Sequence, residues 1–326
     1  MAGRRSGADR KLASTVVVGF GMWFALPLAG IALPLVYCLL FGALISPTDP
    51  IAVMGILKTA GAPRDLELVI AGESLFNDGV AVVLFALLLG VSVEGEWPTT
   101  GLAMESLLRE AGGGIAFGLL LGWITYRLLK SVDQYQVEVL LTLAAVMGGY
   151  ALANHLHVSG PLAMVVCGLM VGSAGRALAM SDTTRKYVDM FWELIDEILN
   201  AVLFVLIGLE VLLIDFSVPL LLGGVLAVMV TLVARWLTVG VPVLALGTRF
   251  RLPSGSSRVL TWGGLRGGIS VALALSLPAA AGSPLARSTV LGLTYCVVVF
   301  SVLVQGLTIG RVVRRAMAGE KGPPSE

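Results

Sequence analysis

Stretch after stretch of about twenty mostly apolar residues, joined by short connections, restricts this chain to a bundle of membrane-crossing helices. A hydrocarbon core about 30 Å thick takes roughly that many helical residues to cross, and lipid offers no partner for unpaired backbone groups. The hydropathy pattern marks about ten such segments, at residues 12–29, 31–57, 66–90, 106–129, 135–153, 160–178, 190–213, 218–246, 261–281 and 289–310. Breaks fall at helix-ending or charged residues such as Pro219, Gly247 and Arg249. The expected fold class is an all-α polytopic membrane protein. With 57% hydrophobic and 13% charged residues in 326, no stretch remains for a soluble domain.

The basic residues give an independent topology. Of the 22 Lys and Arg, all but Arg109, Arg235, Arg266 and Arg287 fall in connections on one face of the membrane, the face that also carries both termini. Positive residues collect on the cytoplasmic side, so both termini are expected there. Acids such as Glu94, Glu96 and Glu105 fall on the other side. Arg4-Arg5 before an apolar run could open a secretory signal, but Leu12 to Ala29 is long for one and another span follows at once. Cys38, Cys167 and Cys296 lie singly in different spans, which supports neither a disulfide framework nor a zinc site.

Within this apolar background, Gly72-Glu73-Ser74-Leu75-Phe76-Asn77-Asp78-Gly79 stands out, because two carboxylates, a hydroxyl and an amide sit inside the segment from Leu66 to Gly90. Ionisable groups at that depth are costly and mark ion or proton sites. Helical spacing pairs Glu73 with Asn77 and Ser74 with Asp78, each at i and i+4, on adjacent faces. A second feature is Ser46-Pro47-Thr48-Asp49-Pro50, mid-span between Phe41 and Met54. Two prolines remove backbone donors and obstruct the preceding turn, so the helix is expected to unwind there and free its carbonyls. Asp78 and Ser74 could then face Thr48 and Asp49, giving hard oxygen ligands for a small dehydrated cation. Glu73 needs a positive partner, or it should be neutral. Two deep arginines are available: Arg235, and Arg266 in Gly263-Gly264-Leu265-Arg266-Gly267-Gly268. The glycines around Arg266 permit a second unwound helix, and two interrupted helices in two halves are the usual pointer to a transporter's binding site.

These residues, in this order and spacing, resemble the monovalent cation/proton antiporters of the bacterial NhaP type and their animal sodium/proton exchanger relatives. The resemblance also takes in Val158-Ser159-Gly160-Pro161-Leu162-Ala163, Phe204-Val205-Leu206-Ile207-Gly208-Leu209 and Val304-Gln305-Gly306-Leu307-Thr308, so it covers nearly the whole chain. It implies that Asp78 is the carboxylate that binds cation or proton, with Asp49, Thr48, Ser74 and Asn77 around it. Na⁺ would sit among Asp78, Asp49, Thr48 and Ser74. Glu73 would pair with Arg235 as scaffold, and Arg266 would balance the dipole ends of the second interrupted helix. Asn77 before Asp78, rather than a second aspartate, resembles the electroneutral branch, which implies one proton per cation.

The implied activity is exchange of a monovalent cation, Na⁺ before Li⁺ or K⁺, for H⁺ by alternating access at the cell membrane. The implied partners are those ions, the bilayer and a second copy of the chain; no cofactor, enzymatic chemistry or nucleic acid is implied. The implied fold is an inverted repeat, and family members usually have about three more spans ahead of the first one here. The ten expected spans would then be the family's fourth to thirteenth, lacking its first three helices. The domain plan is a cytoplasmic N-terminus (1–11), a transmembrane exchanger domain (12–312) and a short cytoplasmic tail (313–326). Within the exchanger domain, a core bundle would comprise about 12–90 and 218–312, and a scaffold and dimerisation bundle about 104–214. A truncated, non-transporting remnant and a K⁺/H⁺ exchanger are the alternatives.

Other polar residues have plainer readings. His155 and His157 near an outer loop could sense pH, although polar filler at the interface explains them as well. Ser159 with either histidine could suggest a hydrolase, but it lacks a nucleophile elbow and no carboxylate is placed to orient the base. Asp196 and Glu197 are expected in the early turns of their helix or paired with basic groups, with Glu210 on the same span. Trp97, Trp123 and Trp192 suit interface anchoring.

Overall fold

The computed structural model describes residues 6–48, 54, 81–92, 105, 108–212, 217–246, 255–278 and 284–318. Among them there is no strand element. The helices are α1 (Ser6–Ala25), α2 (Leu35–Ile45), α3 (Ala81–Ser92), α4 (Gly113–Ser131), α5 (Tyr135–His155), α6 (Gly160–Met170) and α7 (Asp182–Val211). They continue with α8 (Val218–Arg235), α9 (Val241–Leu246), α10 (Ser256–Trp262), α11 (Gly268–Leu275), α12 (Pro284–Phe300) and α13 (Leu307–Ala318). Short π-helical turns at Trp236–Gly240 and Ser301–Gly306 join α8 to α9 and α12 to α13.

Four described stretches are long and apolar enough to cross a bilayer: Leu108–Ser131, Tyr135–His155, Val218–Leu244 and Leu285–Ala316. Among the other expected spans, three fall short for physical reasons, and 66–90 lies largely outside the described residues. α2 stops after 11 residues, where Ser46-Pro47-Thr48 leaves the helix, and α10 and α11 are the 7- and 8-residue halves of a span broken between Gly263 and Gly267. α7 is 30 residues long, but its first half carries Asp182, Arg185, Lys186, Asp189 and Glu193.

That helix corrects the expected boundary at 190. Ser181 caps it: its Oγ accepts the Thr184 N–H at 3.3 Å, so the charged segment joins the apolar one as a single helix. Asp196 and Glu197 consequently lie mid-helix and exposed rather than in its early turns. Trp192 also has an internal role, since its indole N–H donates to Thr142 Oγ1 at 3.0 Å.

The chain divides into two compact units, Met1–Glu96 with Ile207–Glu326, and Trp97–Leu206. In the first, α1 packs on α2 and α8, and α12 packs on α8, α11 and α2. Phe41, Leu40, Leu44, Ile45, Leu293 and Tyr295 are almost wholly buried there. In the second unit, Gly114, Gly118 and Gly122 form a stripe along α4 against Ser159, Ala163 and Cys167. A Cβ on Gly118 would stand 2.5 Å from the Ala163 carbonyl oxygen, so only hydrogen fits. Backbones that approach this closely replace the hydrophobic drive missing between helices in lipid. The outward faces of α4, α5 and α7 expose Leu120, Leu140, Met147, Leu199 and Val205, as suits contact with acyl chains.

Two residues weighed as chemical candidates have backbone duties. His157 has φ +55°, and its N–H bonds the Asn154 carbonyl at 3.1 Å while that of Val158 bonds Ala153 at 3.1 Å, closing the end of α5. Ser159 accepts the Leu162 N–H at 3.4 Å and caps α6. All three cysteines are free.

Candidate functional site

The site in the first unit is built where helices stop. A helix C-terminus leaves carbonyls unpaired and carries a partial negative charge, which a buried cation can balance. α2 ends before Pro47 for that residue's steric reason, and Arg266, 3% exposed, is brought to it from the break between α10 and α11. One guanidinium nitrogen donates to the carbonyls of Ser46 at 2.5 Å and Pro47 at 2.9 Å. The Arg266 backbone N–H donates to Ser301 Oγ at 2.7 Å, so the π turn before α13 fixes the loop that carries the arginine. Thr48, the next residue along from these carbonyls, is 3% exposed.

The second broken end is held in the same way. α10 stops at Trp262, and Arg235, 7% exposed, donates through Nε (3.2 Å) and a terminal nitrogen (3.1 Å) to the Leu260 carbonyl. Gln305 donates from Nε2 to the Trp262 carbonyl at 3.0 Å. Arg235 reaches this position because Gly264 has no side chain: a Cβ there would lie 2.5 Å from Nε. Both arginines line one cavity of about 10 Å³, together with Thr231, Thr261, Gly264 and Gln305. That is room for roughly one water molecule. The Thr231 and Thr261 hydroxyls are buried without a hydrogen bond among the described residues, in a small cavity whose other walls include Val228, Leu232, Val297 and Phe300.

The site residues expected from the sequence, for the ion and for its scaffold, divide accordingly. Thr48, Arg235 and Arg266 belong to one buried region of the first unit. Asp49, Glu73, Ser74, Asn77 and Asp78 lie outside the described residues. Sequence reasoning did not single out Ser301, Leu260 or the two threonines, and it named Gly264 only as part of the glycine cluster around Arg266. Ser301 and Gly264 have faint signals, a hydroxyl within an apolar span and a glycine beside an arginine. A carbonyl that serves as an acceptor has none.

The family model for the transmembrane sodium/hydrogen exchanger matches residues 11–315. The chain belongs to this family. Within the exchanger family, it is 55% identical over 324 residues to the Na(+)/H(+) antiporter NhaP of Pseudomonas aeruginosa, covering 97% of this chain and 74% of that protein. It is 38% identical over 307 residues to the Na(+)/H(+) antiporter NhaH of Halobacillus dabanensis, covering 93% and 73%. Its fold is similar to that of the sodium proton antiporter MjNhaP1 from Methanocaldococcus jannaschii. The TM-score is 0.75, over 96% of this chain and 77% of that one, at 21% identity.

Proposed function

We propose that this exchanger-family chain carries Na⁺ and H⁺ in opposite directions across the cell membrane, one for one, by alternating access. The observation that carries this reading is the pair of broken helices whose carbonyl ends are each held by a buried arginine. Such an arrangement supplies polar backbone at membrane depth and neutralises the dipole ends, leaving a neighbouring carboxylate to control the local charge. Asp78 is that carboxylate in our reading, with Asp49, Thr48, Ser74 and Asn77 supplying further oxygens around Na⁺. In a low-dielectric site one carboxylate holds H⁺ or Na⁺, but not both favourably, and this competition couples the two fluxes. Glu73 pairs with Arg235 and stays out of the transport cycle. The protein works as a homodimer with both termini in the cytoplasm.

The test is a proteoliposome assay of Na⁺-driven pH change, with and without an imposed voltage. Wild-type protein should move protons against Na⁺ at a rate that does not respond to voltage, and Asp78→Asn should abolish exchange while inserting normally. Retained sodium-dependent proton flux in Asp78→Asn would overturn the assignment of the carboxylate. A voltage-dependent wild-type rate would overturn the one-for-one stoichiometry.

A further inference from the structure

The second unit holds a buried carboxylate that the exchange reading does not use. Glu138, in the first turn of α5, has no exposed surface. Its Oε1 accepts the Thr184 hydroxyl at 3.0 Å, and its Oε2 is buried without a hydrogen bond among the described residues. Thr184 is itself 1% exposed, and its oxygen accepts the hydroxyl of Ser181 at 3.2 Å. Ser181 is exposed and lines a surface cavity of about 340 Å³ with Lys130, Ser131 and Asp133. A chain of two hydroxyls, each donating inward, therefore joins a wet cavity to a carboxylate that water does not touch.

We propose that Glu138 is a second proton-binding site of this protein, loaded from that cavity through Ser181 and Thr184. A hydronium ion in the cavity gives a proton to Ser181 Oγ as the Ser181 hydroxyl proton passes to Thr184 Oγ1 and the Thr184 proton passes to Glu138 Oε1. A water molecule remains in the cavity, the carboxylate becomes a neutral acid, and rotation of the two hydroxyls resets the chain. The ionised form keeps a charge on a buried carboxylate whose one side-chain donor among the described residues is Thr184, and uptake of a proton relieves that desolvation cost. The charged groups around it are few. Asp133 lies in the α4–α5 turn, and Lys130 lies in the last turn of α4. On α7, Asp182 pairs with Arg185 at 3.0 Å, and Lys186 is exposed. Because Thr184 lies in the first turn of α7, the proton on Glu138 sets the strength of the tie between α5 and α7.

The experiment is pH-difference infrared spectroscopy on the purified full chain in lipid nanodiscs, which reads carboxyl protonation whether or not the protein transports. Wild-type protein should show a protonated-carboxyl band that titrates with pH, and Glu138→Gln should lose it. Thr184→Val removes the donor to the ionised form and should move the midpoint by about one pH unit to the alkaline side. After a pH jump, Ser181→Ala should take up the proton at least roughly tenfold more slowly. A wild-type spectrum with no titrating band beyond those left in Glu138→Gln would overturn the site. An unchanged midpoint in Thr184→Val together with an unchanged rate in Ser181→Ala would overturn the relay. Thr184→Val is near-isosteric and keeps Glu138 in place, so it remains readable even if Glu138→Gln fails to fold.

Discussion

Arg266→Met removes the cation that ties the end of α2 to the break between α10 and α11 while keeping most of the side chain's volume. Two hydrogen bonds from a charged donor are lost, to Ser46 and Pro47, and both carbonyls sit where water is excluded. Bonds of that kind contribute about 1.5–3 kcal/mol each, and the variant no longer has to bury a guanidinium, which returns part of the loss. A net destabilisation of about 3 kcal/mol remains, enough to lower the apparent melting temperature in detergent by on the order of 5 °C. Arg266→Lys retains the charge without the planar fork and should recover part of that drop, because an ammonium can still reach a helix end as a point charge. Scanning fluorimetry of the three proteins measures this directly. An Arg266→Met melting point within about 1 °C of wild type would refute the argument that the broken helix end needs its cation. An Arg266→Lys protein no more stable than Arg266→Met would refute the role of charge.

Three further outcomes are expected. Arg235→Ala and Glu73→Gln should be non-additive in melting experiments, with the double variant recovering at least about 1 kcal/mol of the sum of the singles; strict additivity would argue against direct pairing. Gly118→Val places two methyl groups against the Ala163 carbonyl and should cost about 2 kcal/mol or more, read as earlier proteolysis of the second unit on heating. His157→Gly relieves a positive φ at the end of α5 and should stabilise by about 0.5–1 kcal/mol without changing transport; a loss of stability would mean that the imidazole makes a contact of greater value than the backbone strain.

The places where helices stop were readable one residue at a time. Pro47 lacks a donor and clashes with the preceding turn, and the glycines from Gly263 to Gly268 weaken helix for want of side chains, so both interruptions follow from local sterics. What fills each gap was not readable in this way. Arg266 and Ser46 are 220 positions apart, and the acceptor is a backbone carbonyl, which every residue has. The same applies to the start of α7. A charged stretch ahead of an apolar one reads as a boundary, and only the Ser181 cap and the packing of Thr184 and Trp192 against α5 make the two a single helix. Glu138 escaped notice because a carboxylate in the first turn of a helix is ordinarily an exposed partner of the helix dipole. Nothing near it in sequence shows that it is buried.

Apolar runs, helix breakers and the lopsided placement of Lys and Arg are short-range properties, and solvation and backbone sterics act on them directly; for that reason the sequence alone determined a helical membrane protein of the exchanger family. Burial and hydrogen-bond partners depend on which distant surfaces meet. The capping of α2 by Arg266, the seat of Arg235 over Gly264 and the hydroxyl chain from Ser181 to Glu138 therefore exist only in the folded structure, where long-range packing excludes water and leaves each polar group the partners that geometry supplies.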